Sequence, residues 1–388
     1  MNFQKPNEKG GLMKSSKRKT ALICGISGQD GAYLARLLLS KDYKVVGTSR
    51  DSSTNSLTNL NRLGIVDDVV LYSMAPNDFR SVLQVLSDVE PDEIYNLAGQ
   101  TSVGLSFEQP IETFDSINTG TLNLLEGLRF LKLNARFYNA GSSECFGNTA
   151  GVSANETTAF KPKSPYAVAK AAAFWAVASY REAYGLFACS GILFNHESAL
   201  RPERFVTQKI IQAAKRIKNG SGETLLLGNL EIHRDWGWAP EYVDAMWRML
   251  QQENADDFVI ATGKSHSLKE FVVEAFSCLD LDWHEHVQVD LSLMRPSDIT
   301  QSCGNADKAK AVLGWQSKST LKNTVYTMIE GCVEDKIRDK ERKHAFDDEF
   351  IQLARSVYIT NDQRSRIKRK INDMFGSELV EEKSYAEY

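Results

Sequence analysis

The sequence predicts an α/β protein: a doubly wound parallel sheet with a smaller C-terminal α+β lobe. Three observations lead there. A short apolar run near the start ends in a glycine-rich turn that opens a helix. Strand-like and helix-like segments then alternate through the first half of the chain. Beyond about residue 195 that alternation weakens.

Residues 1–18 are polar and basic, with no apolar core, so they read as a flexible leader and not as a signal peptide. Residues 20–25 (TALICG) form the first strand. Residues 32–40 have helical spacing, with Leu34, Leu37 and Leu38 on one face. Strands follow at 44–49, 93–97 and 136–140, with a helix over 121–131 between the last two. In the second half, residues 204–218 form an amphipathic helix stopped by Asn219-Gly220-Ser221-Gly222. Strand-like pieces at 224–227 and 258–261 and helices at 268–278 and 306–313 complete the lobe. From about residue 334 the chain is highly charged with helical spacing. The organisation read from this is a leader (1–18), a dinucleotide domain (19–195), a lobe (196–335) with parts that rejoin that domain, and a charged helical tail (336–388).

Composition narrows the function classes. The chain has 388 residues, 42% hydrophobic and 25% charged, which is globular usage and excludes a disordered or fibrous protein. A net charge of -4 gives no basic excess for nucleic acid or an anionic membrane. No apolar run reaches the roughly 18 residues of a transmembrane helix. Six cysteines are scattered without a CxxC pair, as expected for free thiols in a reducing cytoplasm.

Four motifs carry chemistry. Gly25-Ile26-Ser27-Gly28-Gln29-Asp30-Gly31 follows the first strand and opens a helix. Its glycines let the backbone turn tightly against a pyrophosphate, and the helix N-terminus offers N–H groups to it. The second strand ends at Arg50-Asp51-Ser52-Ser53. An acid there binds the ribose of NAD, an arginine the 2′-phosphate of NADP. Arg50, Ser52 and Ser53 form a phosphate-sized donor cluster that favours NADP, with NAD as the option Asp51 leaves open. Tyr166 and Lys170 lie four residues apart on one helix face, so the ammonium is expected to favour the phenolate. Ser142 and Glu144 follow the strand at 136–140 and are expected on one side of an extended segment, at the carboxyl edge of the sheet. The serine supplies a hydroxyl to a substrate and the glutamate a general acid or base. His284-Glu285-His286 lacks a third ligand, so no metal is expected.

The glycine turn, the Ser-Ser-Glu string and YxxxK, in that order, resemble the extended short-chain dehydrogenase/reductase family with its Rossmann-type domain. Longer strings narrow the likeness. Residues 91–97 (PDEIYNL), 106–110 (SFEQP), 164–170 (SPYAVAK), 180–185 (YREAYG), 191–198 (GILFNHES), 234–237 (RDWG) and 257–263 (DFVIATG) are similar to GDP-mannose 4,6-dehydratases. The similarity runs from about residue 20 to 315.

The resemblance implies that Ser142 stands in for a catalytic threonine and that Glu144 removes the C5 proton. Tyr166 matches the base that deprotonates the C4 hydroxyl in the first step, with Lys170 as its partner. It implies cofactor contacts from the glycine turn (Gly25, Ser27, Gly28, Gln29, Asp30, Gly31), from Arg50, Ser52 and Ser53, from Leu97, Ala98 and Gln100, and from Lys170, His196 and Arg201. Ser106, Asn195, Lys209, Arg234 and Arg295 fall on nucleotide-sugar contacts. The expected activity is dehydration of GDP-mannose or a related GDP-sugar by a cytoplasmic homodimer or homotetramer. A manno-heptose dehydratase, a 4-keto reductase or epimerase, and a non-catalytic dinucleotide sensor are the alternatives. The chain departs from the family at Arg50-Asp51, where two arginines are usual, at Ser73-Met74-Ala75, where an aspartate is usual, and at Glu112, where a tyrosine is usual.

Overall fold

The computed structural model describes residues 18–52, 57–149, 151–342 and 351. Its first half alternates β1 (Thr20–Cys24), α1 (Gln29–Ser40), β2 (Lys44–Ser49), α2 (Thr58–Leu63), β3 (Val70–Ser73), α3 (Phe79–Val89) and β4 (Glu93–Asn96). Then come α4 (Val103–Glu108), α5 (Pro110–Phe114), α6 (Gly120–Leu131), β5 (Arg136–Ala140), α7 (Pro165–Tyr184) and β6 (Ala188–Leu193). The second half runs β7 (Asn195–Glu197), α8 (Val206–Lys218), β8 (Leu225–Leu227), β9 (His233–Arg234), β10 (Trp236–Trp238) and α9 (Ala239–Met249). It ends with β11 (Phe258–Ile260), β12 (His266–Ser267), α10 (Leu268–Ser277), β13 (Val287–Val289), α11 (Asp307–Leu313) and α12 (Leu321–Arg342).

Seven of these strands form one parallel sheet in the order β11-β6-β5-β4-β1-β2-β3. The chain builds outward from β1 in one direction and from β4 in the other. The switch between them opens a crevice at the carboxyl ends of the strands, where ligands bind in such sheets. Apolar residues of α1 and α9 cover one face and those of α3, α6 and α7 the other. A separate core joins α8, α10 and α12 to the short parallel pair β8 and β13.

Two differences from the sequence reading concern this sheet. The spacing assigns 258–261 to the lobe, but β11 pairs with β6 at the edge of the main sheet, Phe258 beside Gly191. Its three apolar residues are buried on both faces, a pattern that does not say which strand they join. β3 and β6 are additions to the strands that the sequence predicts. β3 is an edge strand with no fully buried residue, and in β6 (ACSGIL) Ser190 and Gly191 interrupt the apolar run.

A bidentate ion pair locks that edge. Arg181 of α7 meets both carboxylate oxygens of Asp257 at 3.1 and 2.7 Å, and Asp257 also accepts from the Ser190 N–H at 2.6 Å. Asp257→Ala strands a half-buried guanidinium and an N–H of β6. It is expected to cost about 2–3 kcal/mol, read from a denaturant midpoint. A change under about 0.5 kcal/mol would show that the pair is solvated and dispensable.

Candidate active site

The crevice begins where β1 ends. Gly25 takes φ +84, a left-handed conformation that suits glycine. A Cβ on Gly31 would lie 2.4 Å from the Gly25 carbonyl oxygen, so the turn requires glycine there too. Gly28 is the N-cap of α1 and no side chain caps that terminus. The turn is thus a backbone cradle at an uncapped helix N-terminus, which fits a pyrophosphate. The segment after β4 closes its other side: a Cβ on Gly25 would meet the Leu97 carbonyl and the Ala98 backbone at 3.0–3.1 Å. Gln100 braces that segment, its amide donating to Ser102 O and its N–H to the Ser116 hydroxyl.

Side chains of the turn reach across to β7. Gln29 is buried; its amide donates to His196 O (3.2 Å) and accepts from the Ser198 hydroxyl (2.7 Å). It therefore ties α1 to β7, and a cofactor contact would have to come from its backbone. His196 donates from Nδ1 to Phe194 O (2.8 Å), and its Nε2 lies 2.9 Å from Asp30. An acceptor at each nitrogen favours the doubly protonated ring. Burial opposes its charge, but the Asp30 carboxylate outweighs burial and raises its pKa; burial likewise opposes the Asp30 charge, and His196 holds that carboxyl below the usual range. Arg201 lies 3.4 Å from buried Glu197 and stacks 3.8 Å over Phe205.

At the far end of the crevice, Arg50 is solvent-exposed and its Nη1 is 3.7 Å from Glu112. Ser52 donates its N–H to the Ser73 hydroxyl (3.0 Å), and the two hydroxyls are 2.9 Å apart. The Ser49 hydroxyl, at the end of β2, is buried without a hydrogen-bond partner, a polar atom suited to a bound ribose or phosphate. Ser53 lies outside the described residues. Ser73 opens the Ser73-Met74-Ala75 string, read in the sequence only as a departure from the family. The signal for it is register, because β2 and β3 pair Ser49 with Ser73 at their ends.

A cavity of about 470 Å³ continues from this crevice. It brings together Asp30, Leu97, Ser142, Glu144, Tyr166, Lys170, Asn195, His196, Arg201, Lys209, Arg234 and Arg295, which span most of the chain. Ser106 is absent from its lining. That residue is fully buried on α4 and donates its hydroxyl to Val103 O, so it does not face a substrate.

Local structure explains the central four. Ser164 caps α7 by accepting from Ala167 N–H, Pro165 occupies the first turn, and Gly185 ends the helix at φ +67. Tyr166 and Lys170 are thereby set on the buried side of a well-capped helix. The Lys170 ammonium donates to Ala140 O at 2.7 Å and lies 5.9 Å from the Tyr166 ring centre. Burial lowers its pKa to about 8. Tyr166 goes the other way: burial pushes the phenol well up, and a hydrogen bond with Ser142 opposes that. Burial thus outweighs any pull of Lys170 on the phenol in this geometry, where one ammonium N–H goes to the Ala140 carbonyl and the charge stays 5.9 Å from the ring centre.

Glu144 also differs from expectation. It lies in a 3₁₀ turn over Ser143–Phe146, not on an extended segment, and its N–H donates to the Ser142 hydroxyl at 3.3 Å. The turn still delivers the carboxyl to the cavity. Burial raises its pKa; Arg234 and Arg295 oppose that, and Asp298 adds to it. Arg234 is held by Asp298 (2.8 Å) and by Ile299 O (2.6 Å), and Arg295 lies 3.4 Å from the same carboxylate. The next residue, Asp235, accepts from Thr262, Gly263 and Gly304, which fixes the backbone that carries Arg234. Asp298→Asn removes a negative neighbour and frees both arginines, so the Glu144 pKa should fall. If ionised Glu144 is the working base, the acidic limb of the rate profile should move to lower pH. A shift to higher pH would contradict this electrostatic arrangement.

His284 pairs with Asp282 (2.8 Å) at a 3₁₀ turn, and no cluster of three metal-ligating side chains occurs among the described residues.

The family model for GDP-mannose 4,6 dehydratase matches residues 22–328, which takes in every residue of the cavity. The chain belongs to the GDP-mannose 4,6-dehydratase family. It is 45% identical over 333 residues to GDP-mannose 4,6 dehydratase 1 of Arabidopsis thaliana, covering 83% of this chain and 92% of that one. It is 42% identical over 336 residues to the GDP-mannose 4,6-dehydratase of Sinorhizobium fredii, covering 80% and 96%. The fold has a solved counterpart in the dTDP-glucose 4,6-dehydratase of Streptomyces venezuelae, with a TM-score of 0.73 at 19% identity, over 82% of this chain and 98% of that one. Within the GDP-mannose 4,6-dehydratase frame, the Asn-His-Glu-Ser string supplies Asn195 and His196, and Arg-Asp-Trp-Gly supplies Arg234 on its pinned backbone.

Proposed function

We propose that this chain converts GDP-mannose to GDP-4-keto-6-deoxymannose with loss of water. One observation carries the reading: a tyrosine–lysine–serine set and a carboxyl with a raised pKa share one cavity with Lys209, Arg234 and Arg295. The three cations suit a diphosphate, which arginine binds with paired donors. A nicotinamide dinucleotide in the crevice supplies a hydride acceptor at the start and a donor at the end, so none is consumed.

Tyr166 takes the proton of the C4 hydroxyl as the C4 hydride leaves, and Ser142 orients that hydroxyl. The resulting 4-ketone acidifies C5–H. Glu144 removes that proton and helps the C6 hydroxyl depart as water, leaving a C5–C6 double bond. Hydride addition at C6 and protonation at C5 complete the 4-keto-6-deoxy sugar. A carboxyl with a raised pKa suits both taking and giving a proton.

Arg50 and Ser52 support NADP as the dinucleotide. Five described cysteines are free thiols, in keeping with a cytoplasmic enzyme. Exposed Val168 and Trp175, seven residues apart on α7, offer an apolar face to a second copy. Trp175→Glu is expected to dissociate that homodimer in sedimentation; an unchanged oligomer would place the interface elsewhere.

The test is incubation with GDP-mannose, without added cofactor, followed by mass analysis. Loss of one water from the sugar nucleotide is expected. No mass change, or turnover only with stoichiometric reduced cofactor, would point to a reductase instead.

A further inference from the structure

Arg50 follows β2, and Glu112 sits in the first turn of α5, after β4. β2 and β4 flank β1 on opposite sides. The Arg50–Glu112 contact therefore links the two banks of the dinucleotide crevice at the end where the strand-end residues would meet an adenosine ribose. At 3.7 Å it is a loose pair, and its side chains are 82% and 51% exposed. Such pairs are weak and displaceable. Asp51, also exposed, is next to Arg50 in sequence. The other donors are partly engaged as well, because the Ser52 N–H and hydroxyl are turned onto Ser73.

We propose that Glu112 is a specificity-determining positioning residue: it holds Arg50 away from a 2′-phosphate and so narrows the preference for NADP over NAD. The proposal rests on the reading of Arg50 as the 2′-phosphate ligand. A phosphate near −2 needs the full charge of that guanidinium, whereas the bare ribose hydroxyl of NAD does not. Glu112 competes for Arg50 only when the phosphate is present. Its removal should therefore change the affinity for NADP and leave that for NAD nearly alone.

The experiment is competitive equilibrium dialysis of the full-length protein against an equimolar mixture of NADP and NAD, with the bound nucleotides released and quantified. Glu112→Gln is expected to raise the bound NADP:NAD ratio by about fivefold at low ionic strength, and by less at roughly 0.5 M salt, where surface charges are screened. Arg50→Ala should lower the ratio, and by more when combined with Glu112→Gln than beside the native Glu112. Added to Arg50→Ala, Glu112→Gln should have no effect. An unchanged ratio in Glu112→Gln alone would overturn the proposal, as would an equal shift of both nucleotides, which marks a structural wall. A rise that persists in the double variant, relative to Arg50→Ala alone, would overturn the route through Arg50. If Arg50→Ala leaves the ratio unchanged with either residue 112, the NADP reading of this loop itself fails.

Discussion

Glu144→Gln is expected to stop the reaction at its midpoint. The amide keeps the size of the side chain and the 3₁₀ turn that presents it, and the Ser142 hydroxyl still accepts from the N–H of residue 144. Arg234 and Arg295, the proposed diphosphate ligands, remain in the cavity. What is lost is the carboxylate proposed to take the C5 proton. Oxidation at C4 should survive, read as the rising absorbance of reduced nicotinamide on adding GDP-mannose. Release of the 4-keto-6-deoxy product should fall by roughly 10²–10⁴-fold, the usual worth of a positioned acid or base. Turnover near the unmodified rate would reduce Glu144 to a structural member of its turn.

Tyr166→Phe should act one step earlier. Without the phenol the proposed base for the C4 hydroxyl is gone, so neither reduced nicotinamide nor product should form at more than roughly 10⁻²–10⁻⁴ of the normal rate. The surroundings make this step demanding. Burial pushes the phenol well above its ordinary pKa, and the Ser142 hydrogen bond only partly offsets it. Stabilisation of the phenolate falls to Lys170, whose own pKa is lowered by burial to about 8. Below that value the ammonium is charged and supports proton removal; as pH rises through it the charge is lost. The rate should therefore decline on the alkaline side of about 8, in a limb that Lys170→Met abolishes together with most activity. A Tyr166→Phe enzyme that still reduces its cofactor at the normal rate would assign the base elsewhere.

The contrast between the two variants rests on geometry that is only partly legible in the sequence. β2 and β5 read with their observed bounds because each is a continuous strand-forming run beside a clear turn or loop. β6 does not, since Ser190 and Gly191 interrupt its hydropathy. β11 reads as part of the wrong layer because pairing over more than 60 residues of chain leaves no local trace. The glycine turn, Tyr166 and Lys170 are legible because a backbone cradle and a helical i,i+4 pair impose fixed spacing. Glu144 stands out by residue type, but its backbone does not follow the extended pattern, since the Ser142 cap that curls it into a 3₁₀ turn is a single side-chain contact. Ser106 reads as a ligand by motif, yet its hydroxyl bonds back along α4. The direction of the Lys170 ammonium is beyond sequence reach, because its acceptor, Ala140 O, is a backbone atom on another element.

In the proposed reaction one hydride travels within the substrate from C4 to C6. Incubation of the enzyme with GDP-mannose deuterated at C4, without added cofactor, follows that hydride. The expected 4-keto-6-deoxy product has lost one water and carries the deuterium in its C6 methyl group. Loss of the label to solvent, its retention at C4, or its appearance in free nicotinamide would contradict the internal transfer.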